Sequence, residues 1–94
     1  MRPSEALAKH RDEVLAILAK YPVKNPRVFG SVARGEDRED SDLDLLVERV
    51  GDLTYFDIFD MEEALRDLLG TEVEVCTVLR PHAAASAQGD LRPL

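Results

Sequence analysis

Cysteine is nearly absent from this chain of 94 residues, and the one thiol, Cys76, excludes an internal disulfide framework. Long apolar runs are missing too. None approaches the roughly 18 residues that a membrane-spanning helix needs. The N-terminus, Met1-Arg2-Pro3-Ser4, leads into a charged amphipathic stretch and lacks the apolar centre of a secretory signal. These absences lead to the expectation of a cytoplasmic protein. Positive charge is in short supply as well. The 12 Lys and Arg face 19 Asp and Glu, for a formal net charge of −7. Such a surface repels bare DNA or RNA, whose affinity rests on cationic contacts to phosphate, so free nucleic acid is not the expected partner.

What is present fits one small domain. Apolar residues make up 45% of the chain, enough for a compact core. There is no room for a second substrate-binding domain of ordinary size. Ser4 is placed to cap a helix that runs to about Tyr21, with Leu7, Val14, Leu18 and Tyr21 at helical spacing and Pro22 as its stop. Asn25-Pro26 signals a turn. Arg27, Val28 and Phe29 form a short strand into Gly30-Ser31, and a charged loop over 35–41 follows. Residues 42–48 read as a central strand. Thr54, with Asp57 three residues on, opens a second helix that ends at Gly70, with Phe56, Phe59, Leu65, Leu68 and Leu69 as its core side. Charged and β-branched residues alternate over 72–78, a third strand. The tail, 79–94, is poorly legible, although Pro81 could start a short helix.

The expected fold is therefore α+β or α/β, in the order α-β-β-α-β. A strand–helix–strand unit places its two strands parallel. The sheet is then three-stranded and mixed, with helices mainly on one face and the other face left open for a site.

Asp42 and Asp44 are two apart on a strand, so both side chains emerge on one face, while Leu43 and Leu45 point into the core. Paired carboxylates repel, and a divalent cation between them relieves the cost. Mg²⁺ suits such oxygen ligands and often adds substrate phosphates to them. Taken alone, Asp-x-Asp equally suits the solvated face of an edge strand. Upstream, Gly30 lets a bulky anion approach the backbone. Ser31 offers a hydroxyl and an N–H, a helical turn over 31–35 adds partial positive charge, and Arg34 adds a planar cationic fork. Taken alone, Gly-Ser also suits an ordinary strand-to-turn junction.

The combination Gly30-Ser31-Val32-Ala33-Arg34-Gly35, a polar spacer, then Ser41-Asp42-Leu43-Asp44-Leu45 resembles the signature of the DNA polymerase β-like nucleotidyltransferases. Within that superfamily it is similar to the minimal nucleotidyltransferase (MNT) subgroup. The resemblance covers about 23–78, the core of a single domain over 1–94. It implies that Gly30 and Ser31 hold the triphosphate of an NTP, with Arg34, Gly35 and Ser41 completing the nucleotide site. It further implies that Asp42 and Asp44 bind Mg²⁺ and that a third acid on a later strand completes a two-metal catalytic centre. Glu74 matches that third position, where the family usually has Asp, and Glu72 on the same face is the fallback. Both also suit the exposed side of a half-buried strand.

The function this implies is Mg²⁺-dependent transfer of AMP from ATP. Many members of the subgroup are antitoxins that modify a tyrosine hydroxyl of a HEPN-type RNase toxin. Such a partner would explain how so short a chain manages without an acceptor-binding domain. A non-catalytic antitoxin that neutralises its partner by complex formation is the alternative, and a small-molecule (antibiotic) nucleotidyltransferase is a third. Seven further side chains carry plainer expectations. His10 and His82 have no ligand role, Cys76 is a buried small residue, and the acidic run Glu36, Asp37, Glu39 and Asp40 is a solvated loop. Tyr55, Phe56 and Phe59 are expected in the core or on a contact face.

Overall fold

Alternation along 43–47 builds the centre of the molecule. The computed structural model describes residues 1–77 and 91–94, and in it this run lies in strand β2 (Leu43–Arg49). Leu43, Leu45 and Val47 are completely buried, which sends Asp44 and Glu48 to the opposite face. Strand β1 (Val23–Phe29) pairs antiparallel with β2 on one side, and β3 (Val73–Cys76) pairs parallel with it on the other.

A fourth strand, β4 (Arg92–Pro93), lies antiparallel to β1 and gives the order β3-β2-β1-β4. The expected three strands thus become four. Two residues carry no periodicity to read. This strand is fixed by pairing with Arg27 and Val28, by the Leu94 N–H bond to the Pro26 carbonyl at 3.1 Å, and by Leu94 packing on the core.

The single helix expected from Ser4 to Tyr21 is two helices, α1 (Pro3–Lys9) and α2 (Arg11–Leu18), jointed at His10. Arg2, not Ser4, occupies the cap position, and the Arg2 N–H bonds Glu5 Oε1 at 3.0 Å. The two helices are held by different contacts. The Ser4 N–H donates to Asp37 Oδ2 at 2.9 Å and holds α1 beside the short helix α3 (Ser31–Arg34). Meanwhile Val14 and Leu18 bury α2 in the core, against α4 (Tyr55–Leu69).

Helix α4 begins with the expected capping box. Thr54 Oγ1 accepts from the Asp57 N–H at 3.2 Å, and Asp57 Oδ2 accepts from the Thr54 N–H at 3.0 Å. Its buried side is Met61, Leu65 and Leu69. Phe56 and Phe59 are exposed, which corrects their placement in the core. Strand β1 begins earlier than expected, because Asn25-Pro26 forms a bulge inside it. Asn25 has φ of 51° and the register slips between Lys24 and Arg27. The expected end of the third strand at Val78, the helix from Pro81 and the reading of His82 all lie outside the described residues.

Candidate active site

Strand β1 delivers the chain to Gly30 with φ of +76°, a conformation that side-chain-bearing residues rarely adopt. Space demands glycine as well, since a Cβ there would sit 2.7 Å from Asp44 Oδ2. The backbone of Gly30 therefore lies directly against the Asp44 carboxylate. Ser31 opens α3, a single turn that Gly35 closes in the left-handed conformation. Buried Val32 anchors this turn to the core. Arg34 Nε lies 3.2 Å from Glu36 Oε2.

The pairing register sets the acids. Asp44 is opposite Phe29 on β1 and opposite Glu74 on β3. It therefore stands between the Gly30 turn on one side and Glu74 on the other. Asp42 is exposed, one residue ahead of β2. The Asp44 carboxyl is pushed up to about 6, first by burial and then by the negative charges of Glu74 and Asp42. Negative charge is thus concentrated here.

Glu72, the fallback third acid, is engaged elsewhere. Its Oε2 lies 3.2 Å from Arg66 Nη1. Among the described residues, no three acidic, histidine or cysteine side chains converge tightly enough to enclose an ion by themselves. Mg²⁺ characteristically takes one or two carboxylates and completes its shell with water and phosphate oxygens. Asp42 and Asp44 fit that pattern.

Ser41 shapes the entry to β2. Its Oγ accepts from the Arg38 N–H at 2.8 Å, and its carbonyl accepts from the Thr71 hydroxyl at 3.1 Å. Beside Asp42, on the side away from Gly30, a hollow of about 280 Å³ is bounded by Ser41, Arg66, Thr71 and Glu72. A larger one, about 410 Å³, lies near Arg49, Thr54 and Tyr55 and touches none of the acids.

Cys76 is half-buried, and its thiol is pushed up to about 11 by burial and by the carboxylates of Glu74, Asp44 and Glu62. The raised value keeps the thiol protonated at neutral pH, and its partial exposure departs from the buried position expected. His10 is bonded locally, with Nδ1 2.9 Å from Glu13 Oε1. Asp37 corrects the reading of the acidic run. It is only 3% exposed and accepts from the N-terminal turn of α1. Nothing in the local sequence marks it, because its burial comes from a helix 33 residues away. The others of that run, Glu36, Glu39 and Asp40, are exposed as expected.

Comparison with known proteins turns this geometry into a family. The family model described as nucleotidyltransferase domain matches residues 7–86. The chain belongs to that family. A Methanocaldococcus jannaschii relative assigned as a protein adenylyltransferase is 37% identical over 90 residues, spanning 93% of this chain and 89% of that one. The protein adenylyltransferase MntA of Thermococcus cleftensis is 39% identical over 71 residues, spanning 73% and 67%.

Among solved structures, one assigned as a minimal nucleotidyltransferase superposes with a TM-score of 0.82 at 41% identity, covering 97% of this chain and 95% of that one. A toxin–antitoxin crystal structure with AMP-PNP shares the fold, with a TM-score of 0.71 at 15% identity over 87% of this chain and 69% of that one. This nucleotidyltransferase is thus like the protein adenylyltransferases in sequence and like a toxin–antitoxin component in fold. No helix among its described residues is long and apolar enough to cross a membrane.

Proposed function

We propose that this nucleotidyltransferase moves AMP from ATP to a hydroxyl of a protein partner, with Gly30 and Ser31 as phosphate cradle and Asp42, Asp44 and Glu74 as its acids. One observation carries the reading. Asp44 stands in register between the Gly30 backbone and Glu74, so a phosphate site and a proton acceptor flank one carboxylate.

The open backbone at Gly30 admits the phosphates closely, and the Ser31 N–H and hydroxyl donate to their oxygens. Gly35 closes the turn that aims those donors, and Ser41 fixes the approach of Asp42. Arg34 adds positive charge next to the phosphate cradle. Mg²⁺ held by Asp42 and Asp44 would supply neutralisation of phosphate charge and activation of the attacking hydroxyl. Glu74 accepts the proton of that hydroxyl. The hydroxyl oxygen bonds to the α-phosphorus, the bond to the β-phosphate oxygen breaks, and pyrophosphate leaves. The hollow bounded by Ser41, Asp42, Arg66, Thr71 and Glu72 is where the acceptor would approach.

The names of the relatives support ATP as donor and protein as acceptor, and the AMP-PNP complex supports a toxin as partner. By resemblance to the MNT subgroup, that toxin is a HEPN-type RNase modified on tyrosine, and both proteins are cytoplasmic. The test is incubation with Mg²⁺, α-labelled ATP and the protein encoded beside this one. Label should move to the partner and be lost with Asp44→Asn. Full neutralisation by an Asp42→Asn/Asp44→Asn double variant, with no label transferred, would overturn the proposal and favour the complex-forming alternative.

A further inference from the structure

Three of the chain's five aromatic side chains point away from its core. Tyr55 and Phe56 are 80% exposed and Phe59 is 64% exposed. They belong to a well-built helix, not to a loose end. The capping box at Thr54 fixes where α4 starts, and completely buried Met61 and Leu65 fix its rotation. Phe56, Phe59, Asp60 and Glu63 are spaced at three, four and seven, so they share the face opposite Met61 and Leu65. Exposed aromatic rings grouped on one helix face are characteristic of protein-binding surfaces.

We propose that this outward face of α4, centred on Phe56 and Phe59, docks a different protein through an apolar hollow edged with lysine or arginine. The charge pattern selects that occupant. Asp60 and Glu63 stand among the rings, Asp67 lies one turn on, and Asp52 precedes the helix. Among the described residues, none of these four has an ion-pair or hydrogen-bond partner. Two cations lie near: Arg66 is turned to Glu72, and Arg49, beside Tyr55 and Phe56, donates to the Leu53 carbonyl at 2.9 Å. Two copies of this chain meeting on α4 would bring these same acids together, each on a body of net charge −7. A basic rim around an apolar hollow satisfies rings and acids at once.

The face is also separate from the nucleotide site. Helix α4 packs on the side of the sheet that holds Leu43, Leu45 and Val47, whereas Asp44 emerges on the other side. A partner seated on Phe56 and Phe59 leaves Gly30 and Asp44 open. The inference goes beyond the transfer reaction and stands whether or not a nucleotide is transferred.

The experiment is site-specific photo-cross-linking of the full chain in its own cells. Benzoyl-phenylalanine is placed at 56 or 59, with exposed Lys20 as control position. The expected result is one adduct with a different protein from positions 56 and 59, absent at 20. Its cross-linked segment carries lysine or arginine, and Asp60→Lys/Glu63→Lys lowers its yield at least tenfold. Circular dichroism confirms that the charge-reversed chain is folded. An adduct at twice the chain's own mass, an adduct unaffected by charge reversal, or no adduct above the control would each overturn the proposal. No ATP is involved, so this failure is distinct from a failure of nucleotidyl transfer.

Discussion

Asp44 on β2 stands in register with Glu74 on the parallel strand beside it, and the charge of exposed Glu74 acts on the half-buried Asp44 carboxyl. Burial, Glu74 and Asp42 together raise the Asp44 carboxyl from 3.8 to about 6. A carboxyl raised on folding favours the folded state at low pH. That contribution is complete below the unfolded value near 3.8 and is lost as pH rises through about 6. Asp44→Asn should therefore melt higher than the wild type at pH 8 without metal and lose the advantage at pH 4. Mg²⁺ should raise the melting temperature of the wild type at pH 8 and leave that of the variant nearly unchanged. Melts at both pH values, with and without Mg²⁺, check this.

Asp37 should show the opposite pH sign. Burial, the largest single influence, raises its carboxyl, but the hydrogen bonds from the Ser4 amide and hydroxyl and from its own backbone N–H, with the charge of Arg2, together outweigh burial and the net shift is downward. Its contribution is present above the unfolded value near 3.8 and is lost as pH falls through the lower folded value. Asp37→Ala leaves the Ser4 N–H without its acceptor and should cost about 1–3 kcal/mol at neutral pH. Denaturant melts at pH 7 and pH 3 should show the gap between variant and wild type closing at the lower pH.

Gly30→Ala combines a disfavoured φ with a Cβ 2.7 Å from Asp44 Oδ2. The backbone conformation alone should cost roughly 1–3 kcal/mol. Relief of the contact displaces either the phosphate cradle or the carboxylate, so transfer activity should fall further than the stability loss explains. Activity measured well below the melting temperature separates the two effects.

Glu74→Gln removes the proposed proton acceptor and should lower the transfer rate by about 10²–10⁴-fold. It also removes one of the charges that raise Asp44, so the Asp44 titration should move down towards the ordinary range. Carboxyl-carbon NMR on the metal-free protein reads the second effect without any assay of activity.

The site was legible in the sequence where it depends on strand alternation. Asp42, Asp44 and the buried leucines between and after them follow from a period of two, and the structure places Leu43 and Leu45 as that pattern requires. Glu74 over Glu72 was not decided by pattern, since both occupy one face. The register with Asp44 and the Arg66–Glu72 pair favour Glu74 as the proposed third acid.

The misreadings share a tertiary origin. Phe56 and Phe59 suit an apolar stripe, but the rotation of α4 follows Met61, Leu65 and Leu69 instead. The anchoring of α1 at Ser4 and the burial of Asp37 are two ends of one contact, between α1 and the loop after α3, that lie far apart in the chain. Strand β4 has no local signal, because two residues become a strand only when β1 is there to pair with them.

Calorimetric titration of a non-hydrolysable ATP analogue tests the nucleotide-and-metal site most directly. Binding should require Mg²⁺, fall at least tenfold when the metal is chelated, and fall equally in Asp42→Asn/Asp44→Asn with Mg²⁺ present. Binding of unchanged affinity without metal, or in the double variant, would contradict the assignment of Asp42 and Asp44.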